Sequence, residues 1–276
     1  FFLMIRRPPR STLFPYTPFR VPYVYGIPLR SCVSADLSNL MFAGRNASAT
    51  HVAFASTRVM ATCAVMGQGA GTAAAMGLAA GKEPAQIAGD KSLMKAIQQR
   101  LLRDDCYLVG VLNEDQNDLA RQATVTASSE APDCPASNVL SGQTRTVHGP
   151  TGAPPDRSYP GTHRWKSAPA EGLPAWLELR WDQPIEARNV VLIFDTGMNR
   201  ELTLTHSDHH WRKQQWCRAQ AETVRDYIVE VRTGGQWREA ARVTGNYQRR
   251  RELALPQVGP FDALRLTVTA SNGAGQ

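Results

Sequence analysis

The sequence predicts an α/β segment followed by an all-β antiparallel sandwich. Three observations carry this expectation. A short apolar run, NLMFAG at 39–44, reads as a buried strand ending at a glycine; an uncharged alanine- and glycine-rich run over 59–81 reads as one helix; and from about residue 119 onward the pattern changes to short runs of period two. A chain of 276 residues is long enough to bury two small cores. The expected division is 1–20 outside any fold, 21–110 for the α/β segment, 111–122 as a linker and 123–272 for the sandwich.

The opening stretch, FFLMIRRPPRSTLFPYT, has prolines at Pro8, Pro9 and Pro15, no regular period, and clustered arginines, so it offers no face to bury. It resembles the conceptual translation of sequencing-adapter DNA; a disordered basic arm is the other reading, and neither carries chemistry. Its charge follows the apolar run, unlike a secretory signal, and leaves the compartment undecided. The net charge of +7 owes four units to Arg6, Arg7, Arg10 and Arg20. The 27 bases and 24 acids that follow leave only +3, which predicts no nucleic-acid partner. Five cysteines, Cys32, Cys63, Cys106, Cys134 and Cys217, are far apart and never form CxxC, which argues against a zinc ribbon, a local iron–sulfur cluster or a dense disulfide framework and leaves one long-range disulfide open.

The 59–81 run is long enough to span a bilayer, but it is Ala, Gly and Thr rather than Leu and Ile, with Gln68 in its middle, so no membrane span is expected. Ala64, Gly67, Gly71, Ala74 and Ala75 lack the bulk to hold a neighbour away. Each helical glycine costs about 1 kcal/mol relative to alanine, so Gly67, Gly69, Gly71 and Gly77 call for compensating packing. GQGAG at 67–71 is not a dinucleotide fingerprint: Thr72 stands where GxGxxG needs its last glycine, and the preceding VMATCAVM has no turn chemistry. Beyond Gly81, Asp90 can cap a helix carrying Leu93, Ile97 and Leu101 on one face, a packing helix.

YGIPLRS (25–31), AGRNASATH (43–51) and STRVMATCAVMGQGAGTAAA (56–75) together resemble the second flavin-binding segment of FAD-dependent oxidoreductases related to heterodisulfide reductase flavoproteins, over 21–110. Leu29 departs from the pattern, standing where relatives have an aromatic. The resemblance implies part of an FAD-binding, Rossmann-like domain. In it Gly44 and Arg45 end a strand beside the flavin ribityl chain, and a helix opening near Arg58 and Thr62 aims its N-terminus at the pyrimidine edge of the isoalloxazine. Gly67, Gln68 and Gly71 then fall among the cofactor-binding positions. The physics agrees, since free N–H groups and a positive helix end stabilise an anion at that edge. Arg58 adds a formal charge, or is a surface arginine; Ser56 or Thr57 serves as the cap. His51, between strand and helix, is the catalytic candidate as a proton donor or acceptor, with a structural histidine as the other reading. The sequon Asn46-Ala47-Ser48 is read as chance.

The period-two runs are 176–181, 190–194, 202–205, 227–231, 237–243, 253–255 and 264–268. With ATVTASSE, HRWKSAP and PAWLELRW they resemble the galactose-binding or discoidin-like sandwich over 123–270. Relatives pair the asparagine matched by Asn138 with an Asp-Gly; Ser141-Gly142 replaces it here, which argues against calcium. His206, Asp208, His209 and His210 match no metal-site spacing, and no metal site is expected. Trp211 and Trp216 stack on a sugar or pack the loop, and Arg249, Arg250 and Arg251 read as a solvated turn. The expected function is the C-terminal portion of a flavoprotein oxidoreductase acting on a small molecule, inactive without an N-terminal FAD-binding half. The alternative is a carbohydrate-binding or docking module carried by the sandwich.

Overall fold

The computed structural model describes residues 25–132, 134–142, 164–196, 219–255 and 258–275. Two compact units divide the described residues between 115 and 116.

In the N-terminal unit a 3-10 turn, Leu29–Cys32, leads to Val33, which forms a single bridge with Met41. The Ser34 N–H donates to the Leu40 carbonyl (3.0 Å) and the Phe42 N–H to the Cys32 carbonyl (2.7 Å). The strand expected at 39–44 is therefore reduced to one bridge. Its partner is the short segment leaving the 3-10 turn, and Gly44, at φ +93°, turns the chain away at once.

Helix α1, His51–Thr57, was not anticipated; Thr50 caps it, its hydroxyl accepting from the Ala53 N–H (3.3 Å). Helix α2, Met60–Ala79, is the alanine- and glycine-rich run, closed by Gly81 at φ +64°. It buries Met66, Gly69, Ala70, Ala73 and Gly77, a stripe at helical spacing, and leaves Ala64, Gln68, Gly71, Ala75 and Leu78 exposed. Helix α3, Pro84–Gly89, starts with proline and a Glu83/Gln86 capping box. Helix α4, Lys91–Arg103, is capped by Asp90, which accepts from the Leu93 N–H (3.0 Å). Ile97 and Leu101 of the expected stripe are fully buried and form the core with Leu29, Ala73, Ile87, Cys106 and Leu108. No helix among the described residues is long and apolar enough to cross a membrane.

The second unit is an antiparallel sandwich of β1 (Thr124–Ala127), β2 (Ala175–Ile185), β3 (Asn189–Ile193), β4 (Val224–Thr233), β5 (Gln236–Val243), β6 (Arg250–Ala254) and β7 (Phe261–Ser271). One sheet runs β1-β2-β7-β4-β5 and the other pairs β3 with β6. Between them lies one core: Trp181, Phe194, Tyr227, Val229, Val231, Leu255, Phe261, Leu264, Leu266 and Val268 are buried there. Trp181 meets Phe261 edge-on at 5.8 Å, and its indole N–H donates to the Leu119 carbonyl (2.8 Å). Period two on β2 and β7 produces this arrangement, with Leu177, Leu179 and Trp181 inward and Trp176, Glu178 and Arg180 outward. β1 was not among the expected strands. Arg249 to Arg251 do not form a solvated turn: Arg250 and Arg251 open β6 opposite Ile193 and Leu192, and the Arg249 guanidinium donates to the Phe194 carbonyl (2.9 Å). The run expected at 202–205 lies outside the described residues.

Candidate functional site

Four of the candidate cofactor residues converge at the start of α2. Gly44 and Arg45 form the turn that precedes α1, and the Arg45 Nε donates to the Arg58 carbonyl (3.3 Å), tying that turn to the connection between α1 and α2. A Cβ at Gly44 would lie 3.8 Å from Cβ and 3.9 Å from Sγ of Cys63, in the first turn of α2. Cys63 is held in place by its thiol, which donates to the Thr57 carbonyl (3.5 Å). Thr62 bonds the hydroxyl of Tyr25, whose pKa burial pushes up against the pull of that hydrogen bond. Gly44, Arg45, Arg58 and Thr62 thus share one place, and Tyr25 joins them, a residue that sequence reading singled out only as part of its motif.

The cap of α2 differs from expectation. Neither Ser56 nor Thr57 caps it: both belong to α1, Thr57 is buried, and the cap position is Val59, with no side chain accepting from the first turn. A helix of twenty residues therefore presents N–H groups and the positive end of its dipole without a side-chain acceptor. The exposed guanidinium groups of Arg45 and Arg58 add positive charge beside it. This donor set suits an anionic or electron-rich edge, the requirement a reduced flavin makes.

His51 is exposed as the first residue of α1, not in a loop between strand and helix. Gln68 and Gly71 lie on the exposed face of α2, and Gly67 is beside it. A Cβ at Gly67 or Gly71 would meet no atom of the described residues within 4 Å. The close approach falls instead at Gly77, where a Cβ would lie 2.1 Å from Cδ1 of Ile87. Among the described residues no group of histidines, cysteines and carboxylates is arranged to hold a metal ion.

In the sandwich, the Asn138 amide donates to the Arg164 carbonyl (2.9 Å), and Arg164 pairs with Asp195. Asn246 is buried, its amide donating to the Val224 and Gln248 carbonyls (2.7 and 3.1 Å), and it fixes a turn on which Tyr247 is 70% exposed. The His206, Asp208, His209, His210, Trp211 and Trp216 cluster lies outside the described residues.

Residues 7–101 match the family model described as FAD dependent oxidoreductase, a match that starts within the opening stretch set aside above. Among curated proteins none matches the chain. The chain is similar to the family 32 carbohydrate-binding module of C. perfringens NanJ, solved in complex with galactose, at 13% identity over 56% of this chain and 88% of that one, TM-score 0.39. It is also similar to the family 32 module of Streptococcus pneumoniae EndoD at 18% identity, over 55% and 85%, TM-score 0.37.

Proposed function

We propose that the N-terminal unit is the second flavin-binding segment of an FAD-dependent oxidoreductase related to heterodisulfide reductase flavoproteins, working with a nucleotide-binding half that carries the dinucleotide fingerprint. The observation that carries this reading is the convergence of Gly44, Arg45, Arg58 and Thr62 on the N-terminus of α2, which no side chain caps. It is supported by the family match over the same residues. FAD, when bound, supplies the two-electron chemistry of hydride transfer with an organic substrate.

This chain's own part is electrostatic and steric. The first N–H groups of α2 and the guanidinium groups of Arg45 and Arg58 would hold the electron-rich pyrimidine edge of the flavin and stabilise negative charge there. The Gly44 turn would lie beside the ribityl chain, and the Gly67, Gln68 and Gly71 positions would let the cofactor-bearing sheet approach α2. His51, exposed at the start of α1, holds or releases a proton at its imidazole during substrate oxidation.

Two outcomes test the reading. The sequence contains no GxGxxG unit to grip a pyrophosphate, so the purified chain should not retain FAD; a stoichiometric yellow chromophore would contradict this. Gly71→Val should leave the melting temperature of this chain unchanged, because nothing stands within 4 Å and valine is no worse than glycine in an exposed helix. Joined to the nucleotide-binding half, the same substitution should weaken FAD binding about ten- to hundredfold, the effect of overpacking by roughly 1 to 3 kcal/mol, read as flavin absorbance per protein. Unchanged flavin content there sinks the placement of α2 against the cofactor-bearing sheet.

A second reading is favoured by Tyr247. An exposed aromatic on a turn pinned by a buried asparagine is a rigid surface on which a sugar ring can stack, so the sandwich serves as a carbohydrate-binding module attached to the oxidoreductase segment.

A further inference from the structure

We propose that the outer face of the five-stranded sheet is a saccharide site, with Trp237 as the stacking platform for a neutral, cellulose-type glucan. The inference rests on reading the sandwich as a carbohydrate-binding module, and it places a site away from the turn that carries Tyr247.

Outward positions on a sheet that covers a core are ordinarily polar and solvated. Here Trp176 on β2 and Trp237 on β5 occupy such positions, and neither packs in the core between the sheets. Arg265 on β7 lies between them. Its guanidinium carbon is 4.3 Å from the ring centre of Trp237 and 5.1 Å from that of Trp176. The same guanidinium donates to Glu178 at 3.1 and 2.7 Å. On the next strand Arg232 is fixed by a two-pronged pair with Asp262, at 2.8 and 2.9 Å, and lies 5.9 Å from the Trp237 ring. The indole of Trp237 therefore rests on a cation that is itself locked by a carboxylate. No aromatic ring of the described residues stacks on Trp237.

The chemistry of this face selects its ligand. Arg265 and Arg180 pair with Glu178, Arg232 with Asp262 and Arg242 with Glu239, and Glu230, opposite Arg265 on the same face, accepts from the Thr267 hydroxyl, so four arginines meet four carboxylates and no net charge draws a polyanion or a polycation. What remains is a half-buried aromatic ring bordered by oriented guanidinium and carboxylate groups. That combination suits a ring with an apolar face and hydroxyls at its rim. Cellulose-type glucans carry their ring substituents equatorially, leaving flat C–H faces for stacking, and Trp176 and Trp237 on this face are both partly exposed.

The test is native electrophoresis of the full chain through gels containing hydroxyethyl cellulose, with gels lacking it as reference. The unmodified chain and Trp237→Phe should be retarded. Trp237→Leu should bind about tenfold more weakly, the loss expected for one stacking contact, and Tyr247→Ala, at the turn read above as the other sugar surface, tells the two sites apart. Thermal melts of the three variants confirm folding, and the contrast between Phe and Leu at one position separates stacking from a structural role. Retardation that persists in Trp237→Leu but vanishes in Tyr247→Ala overturns the sheet-face site while leaving the module reading standing. Absence of retardation in the unmodified chain overturns the sheet-face site outright, and binding of galactose by that same chain would then keep the module reading alive.

Discussion

Gly77→Val should melt the N-terminal unit well below the unmodified chain, whereas Gly71→Val, less than two turns earlier in α2, should not. The two glycines belong to the same small-residue helix but have opposite surroundings in space. A Cβ at Gly71 meets nothing within 4 Å, but at Gly77 it would lie 2.1 Å from Cδ1 and 2.8 Å from Cγ1 of Ile87. Ile87 cannot simply swing aside, because it is 1% exposed and packed with Ile97 and Leu101. Even alanine would force it into another rotamer or push α3 off α2, at a cost of about 1 to 3 kcal/mol, and valine should reach the upper end. The gain in helix propensity on replacing glycine by alanine, about 1 kcal/mol, applies at both positions, so comparing the two isolates the clash. Thermal melts of Gly71→Ala and Gly77→Ala side by side provide the measurement. Equal melting temperatures would mean that α3 does not press on α2 at Gly77.

This contrast also shows what the sequence could and could not say. A run of small residues reports that something approaches the helix closely, but not which glycine faces it. That depends on α3, a six-residue helix too short to display a period, and α3 was missed. Helix α4 was legible because Asp90 stands at its start and Ile97 and Leu101 repeat at helical spacing. α1 was not, since HVAFAST is only about two turns with a cap of the ordinary kind.

In the sandwich, alternation revealed β2, β3, β4, β5 and β7. β6 was read too short because Arg251, at an inward position opposite Leu192, broke the pattern. There it lies near the buried phenol of Tyr227, whose pKa burial raises against the pull of the arginine. The candidate flavin residues came from a motif rather than from any physical signal in the chain. The tertiary contacts group Gly44, Arg45, Arg58 and Thr62 and move the helix cap from Ser56 or Thr57 to Val59. The tryptophan and arginine layer on the outer sheet face lies on β2, β7 and the β4–β5 hairpin, and only their register brings Trp176, Arg265 and Trp237 together.

Removing the carboxylate beneath that layer should produce a large loss in the sandwich. The Glu178 side chain is 4% exposed, yet it sits on the outer sheet face and accepts from Arg180 at 2.7 Å as well as from Arg265. Truncating one partner of a buried pair costs about 3 to 5 kcal/mol, and the lower end applies because Arg265, with 31% of its side chain exposed, can turn toward water. For a unit of this size about 3 kcal/mol lowers the melting temperature by roughly 6 to 12 °C, the shift expected of Glu178→Ala.

The pH dependence follows from the same contacts. Burial alone would raise the Glu178 carboxyl, but the hydrogen bonds from Arg180 and Arg265 outweigh it and hold the pKa below the ordinary glutamate value. A depressed acid contributes stability that is present above its unfolded pKa, about 4.3, and is lost as the pH falls through its folded pKa. Asp262, held down first by its hydrogen bond from Arg232, acts in the same direction. The melting temperature of the unmodified chain should therefore drop on acidification below about pH 4. Glu178→Gln keeps the shape of the side chain without its charge, so its deficit should be largest near neutrality and shrink as the acid is titrated. Asp262 leaves a residual slope in both proteins. Melts of the two proteins across this range decide the matter: a deficit that stays constant down to the lowest pH would mean that the ion pairs at Glu178 contribute nothing and that the loss comes from packing alone.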